Sequence, residues 1–244
     1  MTAFTTALKF TPFLFGVVML VTAQDAAVVN NKIVKVEFEN EKVRILRARY
    51  ATHERLEMHS HPAKAEVQIT DGVVRIFTPD GKWHDEAGKA GEFFWLEPTR
   101  HAVENVGNET LEIVEIEMKD AAAPSIPVGA PPQTESNTEP KQPVLVEHEP
   151  HHRWEFQNQY VRVLEVLLAP GESTLFHAHF HDSIAVRLTN ATIQEQVLGG
   201  EWRPVSKVTP AETRYVEGAK KPYTHRVKNV GTTPFHVIDI ELLQ

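Results

Sequence analysis

Six histidines of this chain fall into two copies of one pattern: His59-Ser60-His61 followed by His101, and His177-Ala178-His179 followed by His225. In an extended strand, residues two apart point to the same side, so each His-x-His pair sets two imidazoles on one face. A third imidazole would come from a strand brought alongside by folding. Three neutral imidazoles suit a divalent first-row metal such as iron, manganese, nickel, copper or zinc, with positions left for water or substrate. In the first copy Glu66, five residues past His61, could return a carboxylate to the same face after a short bend. One His-x-His pair alone would be read as surface histidines. Repetition, with His101 leading to Asn105 and His225 to Asn229 at the same spacing, favours metal, above all in the first copy.

The repeat extends beyond the histidines. Phe38-Glu39-Asn40-x-x-Val43-Arg44-Ile45-Leu46 returns 118 positions on as Phe156-Gln157-Asn158-x-x-Val161-Arg162-Val163-Leu164. Pro98-x-x-His101 returns 124 positions on as Pro222-x-x-His225, so the second copy gains six residues between its two landmarks. Self-similarity on this scale marks two copies of one folding unit. Within each copy, short β-branched and aromatic runs alternate with turn signals: residues 43–50, 73–77 and 111–118 in the first, 160–168, 192–198 and 234–242 in the second. No segment shows a long helical period. The pattern predicts an all-β chain of two sandwiches or barrels. Residues 121–142 carry five prolines among Ser, Thr, Asn and Ala, which predicts an extended, partly stiff linker between domains at 24–120 and 143–244. The two domains can then dock on each other or swap partners.

At these residues the chain resembles the cupin superfamily. The first module reads His59-Ser60-His61-x4-Glu66-x5-Gly72 and Gly91-x6-Pro98-x2-His101-x3-Asn105, with His53 in place of the leading glycine of that family's motif. The second keeps Gly171-x5-His177-Ala178-His179 and Pro222-x2-His225-x3-Asn229, but Ile184 stands where a carboxylate is expected. The resemblance implies two tandem double-stranded β-helix (jelly-roll) barrels. It also implies a complete ligand set of His59, His61, Glu66 and His101, and an incomplete one of His177, His179 and His225. One divalent transition metal is expected in the first domain. The second domain is read either as a three-histidine site or as mainly structural.

If Glu66 faces the metal, strand parity puts Gln68 and Thr70 on the same side, as polar groups for substrate or proton handling, and His53 at the cavity mouth. The matching positions of the second copy, Ile184, Val186 and Leu188, predict a hydrocarbon-lined pocket. Arg44, Arg47, Arg49 and Arg75 are read as solvated strand faces in preference to an anion site, Phe93 and Trp95 as core in preference to a substrate platform, and His148, His151 and His152, beside Glu147 and Glu149, as a solvated connector in preference to an adventitious metal site.

Residues 1–23 read as an export signal. Lys9 precedes the apolar run Phe13–Val21, and Val21-x-Ala23 suits cleavage before Gln24. A periplasmic or secreted protein, off the membrane after cleavage, is therefore expected. There are no cysteines, hence no disulfides, and the net charge of −8 gives no footprint for nucleic acid. The leading functional expectation is an exported bicupin using a mononuclear metal for dioxygenase-like chemistry on a small oxygen-rich substrate. Its rival is a non-catalytic small-molecule binder, and a third reading gives the barrels a role in homodimerisation.

Overall fold

The computed structural model describes residues 24–121, 123–129 and 142–244. The expected export signal and the middle of the linker lie outside these residues. In the first domain the strands are β1 (Val34–Glu39), β2 (Val43–Tyr50), β3 (Arg55–His61), β4 (Lys64–Gln68), β5 (Gly72–Phe77), β6 (Trp83–Gly88), β7 (Phe93–Leu96), β8 (Thr99–Asn105) and β9 (Leu111–Met118). They form two antiparallel sheets, ordered β1-β2-β9-β4-β7 and β3-β8-β5-β6. The second domain repeats this with β11 (His152–Gln157), β12 (Val161–Leu168), β13 (His177–His179), β14 (Asp182–Arg187), β15 (Ala191–Val197), β16 (Ser206–Val208), β17 (Thr213–Val216), β18 (Tyr223–Asn229) and β19 (Phe235–Leu242). Its sheets run β11-β12-β19-β14-β17 and β10-β13-β18-β15-β16, where β10 (Val144–Leu145) joins β13 in parallel.

The repeated asparagines build this frame. Asn40 Oδ1 accepts from the backbone of Lys42 and Val43, and Asn158 Oδ1 from Tyr160 and Val161, closing the β1–β2 and β11–β12 turns as Asx turns. Asn105 and Asn229 are fully buried and bridge turns. Asn105 Nδ2 donates to Tyr50 O, Ala51 O and Glu109 O; Asn229 Nδ2 donates to Leu168 O and Thr233 O. Each satisfies backbone carbonyls at a barrel end that would otherwise be orphaned. The downstream asparagine is thus part of the scaffold, and only the histidines of the repeat are left for chemistry.

The two barrels dock face to face through the first sheet of each. One apolar cluster combines Val43, Ile45, Ala65, Val67, Val114, Ile116 and Met118 with Val161, Val163, Ile184, Val186, Ile238, Ile240 and Leu242. Aromatic rings line its margin: Trp95 stacks on Phe156 and Tyr160, and Phe38 on Tyr215. At the rim Lys42 Nζ reaches Asp182 at 2.7 Å.

This packing corrects the expected lining of the second cavity. The register pairs Glu66 with Glu115 and Ala185 with Asp239, and it pairs Ala65 with Ile116 and Ile184 with Ile240. The counterpart of Glu66 is therefore Ala185, 119 positions on. One extra residue between His179 and Ile184 slips the alternation, and a slip of one turns every side chain to the other face. Ile184 and Val186 belong to the core between the barrels, and Ser183, Ala185 and Arg187 line the cavity.

Candidate metal centres

In barrel 1, His59 on β3 lies directly opposite His101 on β8, and His61 follows on the same face. The three ring centroids are 4.7–5.5 Å apart, and one nitrogen from each ring lies within 4.8 Å of the others. Outer contacts fix the tautomers. His59 Nδ1 donates to Glu57 O and His61 Nδ1 to Glu117 Oε1, both at 2.7 Å, so each turns a lone pair on Nε2 inward. Glu117 is in turn held by Arg44 Nε at 2.7 Å, and Arg44 also meets Asp25. Arg44 is therefore not the solvated strand residue expected from alternation; it anchors the carboxylate that orients His61.

The Nε2 atoms of His59 and His101 are buried and meet no hydrogen-bond donor. Loss of water holds His59 down to about 4 and His101 to about 3, so both are neutral bases near pH 7. Convergent, unprotonated imidazole nitrogens in a dry interior are what a divalent cation needs. The three residues fit a metal.

Glu66 shares this cavity of about 380 Å³, but its Oε2 lies 3.1 Å from Lys64 Nζ. Lys64, fully buried, also pairs with Glu115, whose Oε1 is 4.0 Å from His61 Nε2. Burial opposes the charge on Lys64, yet the two carboxylates outweigh it and raise its pKa. Burial lifts Glu66, whereas Lys64 and His61 hold Glu115 down to about 2 against the same burial. Lys64 went unnoticed in the sequence, although the parity that selected Gln68 selects it equally. Gln68 is buried beside Gly88, and with Glu66 it also faces a groove of about 960 Å³ that runs toward Phe156 and His236 of the second barrel, away from the histidines. Thr70 lies past the end of β4, where its hydroxyl donates to Thr110 O and accepts from Glu112 N. His53 is an exposed turn residue with φ 62°, in the place Gly171 takes with φ 88° in barrel 2.

In barrel 2, His177 lies opposite His225 and His179 opposite Tyr223. His177 Nδ1 donates to Leu175 O at 2.9 Å and His225 Nδ1 to Glu195 Oε1 at 2.7 Å, while His225 Nε2 is 3.2 Å from His179 Nε2. His152 joins them, contrary to the solvated connector expected. It is buried on β11, its ring 4.5 Å from that of His177. A ligand atom of His152 lies within 4.8 Å of those of His177 and His179. The surrounding cavity, about 490 Å³, also carries Arg187, Arg203, Arg214, Lys221, Tyr223 and Asp239. It is cationic at the rim and largely hydrocarbon-lined, though by Val166, Ile193, Val227, Phe235 and Val237 in place of the residues expected. Two groups of histidines, one in each barrel, can therefore hold a metal.

Neither a family model nor a curated protein sequence matches the chain. Among solved structures, AerE from Microcystis aeruginosa is similar with a TM-score of 0.58 at 14% identity, over 88% of this chain and 95% of AerE. A point mutant of the oxalate decarboxylase OxdC from Bacillus subtilis is similar with a TM-score of 0.53 at 13% identity, over 83% of this chain and 69% of that one. A cupin 2 conserved barrel domain protein from Leptotrichia buccalis gives 0.47 at 13%, over 86% and 88%. At such identities the likeness is one of fold. Its two jelly-roll barrels in tandem thus share the fold of these structures over most of the chain's length.

Proposed function

We propose that the protein is an exported, metal-dependent oxidoreductase of dioxygenase type that acts on a small oxygen-rich substrate in the periplasm or outside the cell. The observation that carries the metal is the pair of buried, donor-less Nε2 atoms on His59 and His101, facing His61. His59, His61 and His101 are the histidine ligands in this reading, and Glu66 is the carboxylate that would complete the set by sharing or leaving its ion pair with Lys64. A divalent transition metal held there supplies Lewis acidity and an open position for oxygen donors. The chain's own contribution is orientation and proton handling. Glu117 and Glu57 O fix the two imidazoles of β3. Lys64 and Glu115 keep a charged pair beside the ligands, and Glu66, whose pKa burial raises above the ordinary carboxylate range, is the carboxyl placed to exchange a proton there. Gln68 supplies a neutral polar group on the same strand face.

One observation favours the non-catalytic alternative, a small-molecule binder. The Lys64–Glu115–Glu66 cluster already places a cation between two carboxylates on the floor of the barrel 1 cavity. The two readings separate in one experiment. Purified protein is assayed for metal content and for oxygen uptake with diketones, phenols and oxalate, the last because a structural neighbour is an oxalate decarboxylase. Bound metal with oxygen consumption supports the oxidoreductase. Binding without turnover supports the binder, and protein that takes up no metal sinks the oxidoreductase.

A further inference from the structure

We propose that barrel 2 holds a second metal centre, of four imidazoles and no carboxylate, in which His152 is the fourth ligand. In barrel 1 the place of His152 belongs to Val34: His152 pairs with Val166 across β11–β12 as Val34 pairs with Ala48 across β1–β2. Barrel 2 lacks a carboxylate at the Glu66 position, where Ala185 stands, and gains an imidazole on a strand that contributes none in barrel 1.

The surroundings of His152 are those of a ligand. Its Nδ1 donates to Glu149 Oε2 at 2.6 Å, which leaves Nε2 as the lone pair. Glu149 is itself buried and fixed by the backbone N–H groups of His151 and Leu175. A carboxylate that orients an imidazole through Nδ1 is the usual outer partner of a metal-bound histidine. Glu195 does the same for His225, and Leu175 O for His177. His179 is the exception: its Nδ1 is buried without a partner, as is Glu241 Oε1. Glu241 is the counterpart of Glu117, which accepts from His61 in barrel 1. A cation drawing on His179 Nε2 would move that ring's proton to Nδ1, where an acceptor is wanted.

A core histidine satisfied by Glu149 alone would not require three more imidazoles around it. Four aromatic nitrogen bases in a buried pocket compete for few protons and repel one another's lone pairs, an arrangement that a cation relieves. An all-imidazole set favours copper(II), zinc, nickel or iron and disfavours magnesium, calcium and manganese. The two centres of one chain would then differ in metal preference, with the carboxylate-bearing barrel 1 the harder site.

The test uses full-length protein in which barrel 1 is silenced by His59→Ala and His101→Ala. Copper(II) is titrated in and followed by electron paramagnetic resonance, with zinc competition for affinity. One equivalent should bind with nitrogen coupling from four imidazoles. Replacing His152 with Val, the residue barrel 1 uses, should reduce affinity at least about 10-fold and remove one nitrogen from the spectrum. His152→Gln, which can still hydrogen-bond Glu149, should do the same and serves if the valine variant melts early. Unchanged affinity and nitrogen count in either folded variant would overturn the role of His152. Failure of the silenced protein to bind copper at all would overturn the second centre, and would leave the proposed barrel 1 site standing.

Discussion

Barrel 1 and barrel 2 keep one backbone and differ in what they bury beside their histidines. The first encloses Lys64, Glu66 and Glu115; at the corresponding positions the second has Ser183, Ala185 and Asp239, with His152 added from β11. Shared between them are the elements that hold the frame: the paired asparagines, and the Arg44–Glu117 and Arg162–Glu241 contacts at 2.7 Å. The scaffold constrains the turns and the outer carboxylates, and the interior of each barrel is free to carry its own charge balance. One duplicated fold can therefore carry two differently charged interiors.

Metal binding should separate the barrels most sharply. His59→Ala should weaken barrel 1 by more than the roughly 10- to 100-fold that an outer partner is worth and leave barrel 2 untouched, with His179→Ala doing the reverse. Elemental analysis under matched loading reads both. Glu66→Gln should lower metal content in barrel 1 only, and loss of all metal from any one of these variants would mean a single centre.

Stability offers the next contrast. Lys64→Met leaves Glu115 charged and unpaired in a dry interior and should cost about 3–5 kcal/mol in urea unfolding. Adding Glu115→Leu should return most of it. A loss below about 1 kcal/mol would show that the pair is solvated. The matching position of barrel 2 should not respond this way, because Ser183 replaces the cation there.

A pH effect of intermediate size belongs to barrel 2. Burial, with Glu241 nearby, pushes Asp239 up from 3.8 to about 7. Its folded pKa is above the unfolded one, so its contribution is fully present below pH 4 and is lost as the pH rises through about 7. The buried neutral histidines add stability over the same range, so Asp239 is read as a difference: between pH 5 and pH 8 the urea midpoint of unmetallated protein should gain less than that of Asp239→Asn. Equal changes in the two proteins would remove Asp239 as the cause.

The smallest effect is at the matched turns. His53 occupies a left-handed backbone position that Gly171 fills without a Cβ, so His53→Gly should stabilise by about 0.5–1 kcal/mol, and Gly171→His should cost a similar amount. Thermal melts of the two variants shifting in the same direction would contradict this.

The sequence made the tandem architecture and six of the clustered histidines legible, because strand parity and the repeat both survive in the text. Its reading of the second cavity failed at one residue. His177-Ala178-His179-Phe180-His181-Asp182-Ser183 carries one residue more before the strand than its counterpart does, and a period of two has no tolerance for that slip. His152 was missed for another reason. It lies 25 positions before His177, and only the pairing of β11 with β12 brings it in. Its signal was available as a histidine that replaces Val34 in the aligned repeat, three residues after an acidic one. Lys64 was visible by parity with Glu66, but nothing in a single sequence marks a strand lysine as interior. Such residues are almost never fully buried unless paired.

The core between the barrels has a further consequence. Val43, Ile45, Ala65, Val67, Val114, Ile116 and Met118 meet their own counterparts Val161, Val163, Ile184, Val186, Ile238, Ile240 and Leu242. The contact is isologous: one patch set against a diverged copy of itself, as at the two-fold axis of a homodimer. The chain is thus a symmetric dimer tied into one polypeptide, and each half acts as the other's permanent subunit. Joined in one chain, the halves need not be identical as those of a true homodimer must be, and barrel 2 carries Ser183, Ala185 and His152 where barrel 1 carries Lys64, Glu66 and Val34 behind the same shared face.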